Sequence, residues 1–231
     1  MRALVLLAAL ALPASAGPCL VPGLAPVVRT PSGTTIDQFG GVVVAAVSWP
    51  KGGSADPVVQ KWEFVEGKKR NKARVTLLAP GLAVYAPVAP EKQLDLEDKP
   101  GHSAVRVTFQ FMNTDDMPVD AAPRPTTIVQ AKQTPMFRTG SVVATLAEAP
   151  PAGTIAVLVR GAGSQAKAAR SWAEVRDPTA TRVEIFMRDR CEPEIPGTVP
   201  TKAGDKIELA WVDSEGHVSL WSQAIEVKAE K

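Results

Sequence analysis

The chain is poor in the residues that build most recognisable chemical sites. Its 231 residues include two cysteines, two histidines and one tyrosine. His102 and His217 each follow a glycine in an apparent turn. Neither stands in an H-x-x-x-H or Cys/His spacing, which excludes the usual sequence patterns of zinc proteases and zinc fingers. Both read as surface turn residues, and neither a metal ligand nor a cofactor site is expected. Charge of one sign is also lacking, with 26 Lys and Arg against 24 Asp and Glu. Nucleic-acid binders carry a concentrated basic face, so no nucleic-acid partner is expected. The basic cluster Lys68-Lys69-Arg70 with Lys72 and Arg74 reads as a solvated hairpin tip. Helix-forming stretches are scarce: only Ser164 to Ala173 reads as one or two helical turns, or as an Ala-rich loop. No apolar run approaches the ~20 residues of a membrane-spanning helix, so no membrane span is expected.

What the chain does have begins with an export signal. Arg2 supplies a positive charge, Ala3 to Leu12 is uninterruptedly apolar, and Pro13 precedes Ala14-Ser15-Ala16. That order of charge, apolar core and small-x-small is a secretory signal peptide over residues 1–16. The mature protein is then expected to be exported, periplasmic or extracellular. Lipidation at Cys19 is the alternative, and Pro18 in front of it argues against that. Export makes an even cysteine count suggestive of a bridge. The expected pair is Cys19 with Cys191, the alternative being two unpaired thiols.

Hydrophobic period two dominates the remainder. Val105, Val107, Phe109 and Phe111 alternate with Arg106, Thr108 and Gln110, the pattern of a half-buried strand. Similar alternation occurs at Ile155/Val157/Val159, Val183/Ile185/Met187 and Ile207/Leu209/Trp211. Val42 to Trp49 is continuously apolar, as expected of a strand buried on both faces. Trp62/Phe64 and Val75/Leu77 read as two strands joined across Gly67 to Lys72. The 21 prolines and 17 glycines fall largely between these runs. Short strands at such spacing, nearly without helix, predict an all-β fold of two β-sandwich domains. The aperiodic, proline-rich stretch Asp115 to Thr126 separates an expected N-terminal domain, 17–122, from a C-terminal domain, 126–231.

The last 28 residues carry the most specific pattern. "GDKIELAWVDSEGHVSLWSQAIEV" resembles the final hairpin of fibronectin type III and bacterial immunoglobulin-like domains, with an aromatic-rich strand, a D-x-x-G turn at Asp213 to Gly216 and a Ser-Trp-Ser-like stretch. The return strand is expected over Val218 to Val227. The N-terminal segment "PSGTTIDQFGGVVVAAVS" is similar to the opening of bacterial immunoglobulin-like domains. The resemblance implies a sandwich fold and a habit of extracellular binding or spacing, and it transfers no functional residue.

Strings suggestive of catalysis fail for lack of context. Gly161 to Ala166 spells G-x-G-x-x-A, but the βαβ units of a dinucleotide fold are missing. Ser164 and Lys167 spell S-x-x-K without the further motifs of β-lactamases. The acids Asp95, Glu97 and Asp98, and Asp115, Asp116 and Asp120, read as solvated loop acids rather than calcium ligands. Among the tryptophans, Trp62 and Trp211 take inward positions, and Trp221, alternating with serines, is the candidate ligand contact. The expected function is a non-catalytic envelope or extracellular binding or scaffold protein, with a protein or glycan partner. A two-domain periplasmic chaperone and a hydrolase with an unrecognised site are the alternatives.

Overall fold

The computed structural model describes residues 27–37, 39–45, 62–79, 81–88, 93–97, 103–110, 121–130, 140–163, 171–188 and 202–229. They form an all-β protein of two β-sandwich or barrel-like units, with no helix among the described residues. The expected signal peptide lies outside them.

The first unit contains β1 (Val27–Val28), β2 (Thr35–Asp37), β3 (Val42–Ala45), β4 (Glu63–Glu66), β5 (Lys69–Ala79), β6 (Leu82–Pro87), β7 (Gln93–Glu97) and β8 (Ser103–Gln110). Their order is β1-β3-β6-β5-β4-β7-β8-β2. Strand β5 makes two layers of one sheet: its first residues pair with β4 from Lys69 to Lys72, and Ala73 onward pairs with β6. The layers enclose Ile36, Phe64, Tyr85, Leu96 and Val107, all within 1% of complete burial. The Trp62 ring lies 5.6 Å from Tyr85, tilted by 33°. The β4–β5 turn is tighter than the expected Gly67 to Lys72 tip. Glu66 pairs with Lys69, so Gly67 and Lys68 alone turn the chain. Gly67 has φ +58° at the first central position, as a type II′ turn requires.

The second unit contains β9 (Pro125–Gln130), β10 (Gly140–Leu146), β11 (Thr154–Gly161), β12 (Ser171–Glu174), β13 (Arg182–Arg188), β14 (Lys206–Asp213) and β15 (Ile225–Lys228). Their order is β12-β11-β14-β15-β9-β10-β13. Strand β15 joins the layers, running antiparallel to β14 and parallel to β9. Both strand orders resemble that of an immunoglobulin sandwich. Part of the stretch Ser164 to Ala173, expected as one or two helical turns or an Ala-rich loop, is instead strand: Ser171–Glu174 pairs with β11. The neighbouring β-strand outweighs the helix propensity of its alanines. Residues 164–170 lie outside the described set.

Period two explains how the units meet. Ile207, Leu209 and Trp211 of β14 point into their own sandwich, with Ile128, Ile185 and Val227. Ala210 and Val212 face the other way, as alternate strand positions must. With Ala156 and Leu158 of β11 they pack against Val43, Ala45, Leu82 and Val84 of the first unit. Strand β3 is therefore buried on both faces along its whole length, as its apolar run demands.

The expected Cys19–Cys191 bridge is corrected: no disulfide bond is present among the described residues. Both cysteines lie outside the described residues. Each sandwich closes an apolar core from its own strands, so a chain of this size has no need of a covalent staple.

Candidate functional site

The turn after β14 reaches across to the first unit. Asp213 organises it: Oδ1 accepts the backbone N–H groups of Glu215 and His217, each at 2.9 Å. Its Oδ2 lies 3.0 Å from His217 Nδ1. Opposite, β2 ends at Asp37, whose Oδ1 accepts the N–H groups of Phe39 at 2.7 Å and Gly40 at 2.8 Å. This is the local side-chain turn that aspartate favours.

The two turns interlock. Glu215 Oε2 accepts the Asp37 N–H at 2.8 Å, and the Glu215 carbonyl accepts the Gly41 N–H at 2.7 Å. His217 Nε2 lies 3.1 Å from Asp37 Oδ2 and 3.2 Å from Oδ1. Buried Thr30 donates to the Ser214 carbonyl at 2.7 Å while its hydroxyl oxygen accepts the Val43 N–H at 2.8 Å. At the flank, Arg29 Nη1 pairs with Glu174 Oε1 at 2.6 Å.

Three carboxylates thus surround one imidazole. The hydrogen bond that the ring donates to Asp213 is the main reason His217 is pushed up to about 9. Burial opposes this, and the charges of Asp213, Asp37 and Glu215 reinforce it. Glu215 is also raised, first by burial, with the Asp37 N–H and the His217 charge opposing and the charges of Asp213 and Asp37 adding. At neutral pH in this arrangement the ring is an imidazolium clamped between two aspartates. Both its nitrogens are engaged by carboxylates, Nδ1 by Asp213 and Nε2 by Asp37. Asp37, Glu215 and His217 each offer a ligand atom within 4.8 Å of the others, which makes them a candidate metal cluster.

A second feature follows the turn. Ser219 and Ser222 run beside β14 without forming regular strand. Their hydroxyls accept the N–H groups of Trp211 and Leu209, each at 2.9 Å. Their own N–H groups donate to the carbonyls of the same two residues, at 3.0 and 2.7 Å. The expected return strand over Val218 to Val227 is therefore corrected: an isolated bridge joins Val218 to Val212, and regular strand spans only Ile225–Lys228. Between the serines, Trp221 is half-buried, with the Arg160 guanidinium 4.1 Å above its ring. Arg160 Nε is held by Glu208 Oε2 at 2.7 Å. Trp221 lines a groove with Pro123, Arg124, Gln223 and Ile225.

Of the residues singled out from sequence, Asp95 and Glu97 are engaged in ion pairs with Arg106 at 2.8 Å and Arg70 at 3.0 Å. His102, Asp98, Asp115, Asp116, Asp120, Ser164 and Lys167 lie outside the described residues. His217 is not the free turn residue expected: its side chain is 20% exposed and joined to both units. Asp37 was not singled out. The signal available was Asp37-Gln38-Phe39-Gly40-Gly41, an aspartate leading into a glycine turn, which is also an ordinary loop pattern.

No protein-family model matches this chain. No curated protein matches it either. Among solved structures it is similar to the FN1-FN3 domains of chicken CNTN1, at 12% identity and a TM-score of 0.32, covering 91% of this chain and 68% of that one. It is also similar to a DUF3823 family protein from Bacteroides ovatus, at 12% identity and a TM-score of 0.26, covering 88% of this chain and 99% of that one. The likeness is distant and partial, and it extends across much of the chain rather than being confined to the last 28 residues.

Proposed function

We propose that this is an exported, non-catalytic binding or scaffold protein of the cell envelope or extracellular space. Its two domains, 17–122 and 126–231, act as one rigid unit. The observation that carries the reading is the apolar core shared by β3, β6, β11 and β14, sealed at its rim by the His217 cluster. A structure that spends its acid and base side chains on joining two sandwiches supports positioning rather than turnover. The partner is a protein or a glycan, and Trp221 is the contact, because the half-buried indole lines a groove beside Pro123, Arg124, Gln223 and Ile225.

The test has two arms. Purified full-length protein, presented to a glycan array and to envelope extracts for crosslinking, should capture a partner that Trp221→Ala releases while near-ultraviolet circular dichroism stays native. Against ester, glycoside and phosphoester panels it should show no turnover that His217→Ala abolishes. Turnover lost in that variant overturns the non-catalytic reading, and partner capture undiminished by Trp221→Ala removes the assigned contact.

A further inference from the structure

We propose that Asp37, Glu215 and His217 form a binding site for one divalent transition cation of the zinc class, shared between the two sandwiches. The donors come from chain segments 180 residues apart, yet their ligand atoms lie within 4.8 Å of one another. Ligands about 2.1 Å from a tetrahedral ion stand about 3.4 Å apart, and His217 Nε2 is already 3.1 Å from Asp37 Oδ2. A shift of the Glu215 carboxylate toward the same point completes a set of three protein ligands.

The surroundings fit the same assignment. A metal-binding histidine characteristically donates its other ring N–H to a carboxylate, which fixes the tautomer and aims the free nitrogen at the ion. Asp213 Oδ2 stands 3.0 Å from Nδ1 in that role, leaving Nε2 directed at Asp37. Asp37 is itself oriented, because two backbone N–H groups hold its Oδ1, and Oδ2 stands 3.1 Å from Nε2. Three carboxyl groups face one imidazole in a half-buried place, a mixed oxygen and nitrogen donor set suited to a dication. One imidazole nitrogen among carboxylate oxygens suits zinc and its first-row neighbours, whereas calcium takes six to eight oxygens. On binding, the Nε2–H bond to Asp37 is replaced by metal bonds from both groups, and the displaced proton leaves to solvent.

The full chain, with no binding partner added, serves for the test. A Cys19→Ser/Cys191→Ser background removes thiolate ligands. After stripping with EDTA, this protein should bind one equivalent of Zn²⁺ by calorimetry, and Co²⁺ should give d–d bands without thiolate charge transfer. His217→Ala should abolish binding. Glu215→Gln, which keeps a hydrogen-bond acceptor for the Asp37 N–H, should weaken it at least tenfold. Asp213→Asn should cost about 10–100-fold, as loss of an orienting partner does. Native circular dichroism of Glu215→Gln secures the comparison if His217→Ala fails to fold. No stoichiometric binding, or Zn²⁺ affinity unchanged in Glu215→Gln, overturns the site. Calcium bound more tightly than zinc overturns the assignment of the metal class.

Discussion

Gly216 shows how narrowly the junction is specified at a single residue. Its φ of +82° lies in the left-handed region, and an added Cβ would stand 2.6 Å from Val84 Cγ2 of the other sandwich. Backbone strain and overpacking therefore act together. Gly216→Ala should cost about 2–4 kcal/mol in a urea titration, whereas Gly153→Ala, where φ is +81° but the Cβ meets open space, should cost only about 1 kcal/mol. Equal losses at both positions would show that the turn is not pressed against Val84. His217 adds a dependence on pH in chelated, metal-free protein. Its folded value of about 9 lies above the ordinary 6.5. The stabilisation is therefore complete below about pH 6.5 and is lost as pH rises through about 9. Solvent reaches a fifth of the side chain, so the loss is about 1–2 kcal/mol rather than the full value of the shift. The groups facing the ring are Asp213, Asp37 and Glu215. Asp213→Asn should flatten the decline between about pH 6.5 and 9, and an unchanged slope would remove His217 as its source.

At the scale of the element, β14 carries the most information. Its period-two alternation was legible in the sequence, and Ile207, Leu209 and Trp211 are buried together. Trp211→Ala should cost about 3–5 kcal/mol. The other face was not legible as it stands. Glu208 reads as a solvated outward residue, yet its side chain is 14% exposed, pairs with Arg160 at 2.7 Å and accepts the Gly163 N–H at 3.3 Å. Glu208→Ala should therefore cost about 1–3 kcal/mol and free the guanidinium over Trp221. A loss below about half a kcal/mol would return Glu208 to the ordinary surface. The serines beside β14 escaped a reading based on hydropathy because they replace strand pairing with side-chain hydrogen bonds. Ser222, 6% exposed, looks polar in sequence while its hydroxyl satisfies the N–H of buried Leu209. Strand β12 was missed for the opposite reason, since alanine carries a helix preference that an adjacent strand overrides.

At the scale of the whole molecule, the sequence pattern marked two sandwiches and left their union open. Continuous apolar strands such as Val42–Ala45 announce burial on both faces without naming what covers the second one. The Asp37–His217 pairing depends on residues 180 positions apart, a separation that no local pattern encodes. The shared core makes a definite claim about cooperativity. If either sandwich unfolds alone, the other must expose Val43, Ala45, Leu82 and Val84, or else Ala156, Leu158, Ala210 and Val212. Partial unfolding is then penalised by apolar surface opened to water, and the chain should melt as one unit. Calorimetry of the full chain, stripped of metal, should give a single transition whose calorimetric and van 't Hoff enthalpies agree. Ala210 is completely buried on the face of β14 that meets the first unit. Ala210→Asp places an unpaired carboxylate in that apolar layer while leaving the cores around Trp211 and Tyr85 untouched. It should split the single transition into two, with near-ultraviolet circular dichroism retained below the first. Two transitions in the parent protein, unaltered by Ala210→Asp, would mean that the sandwiches are neighbours without a common core. One transition in both proteins, merely lowered in the variant, would place their coupling outside the β3–β6–β11–β14 layer.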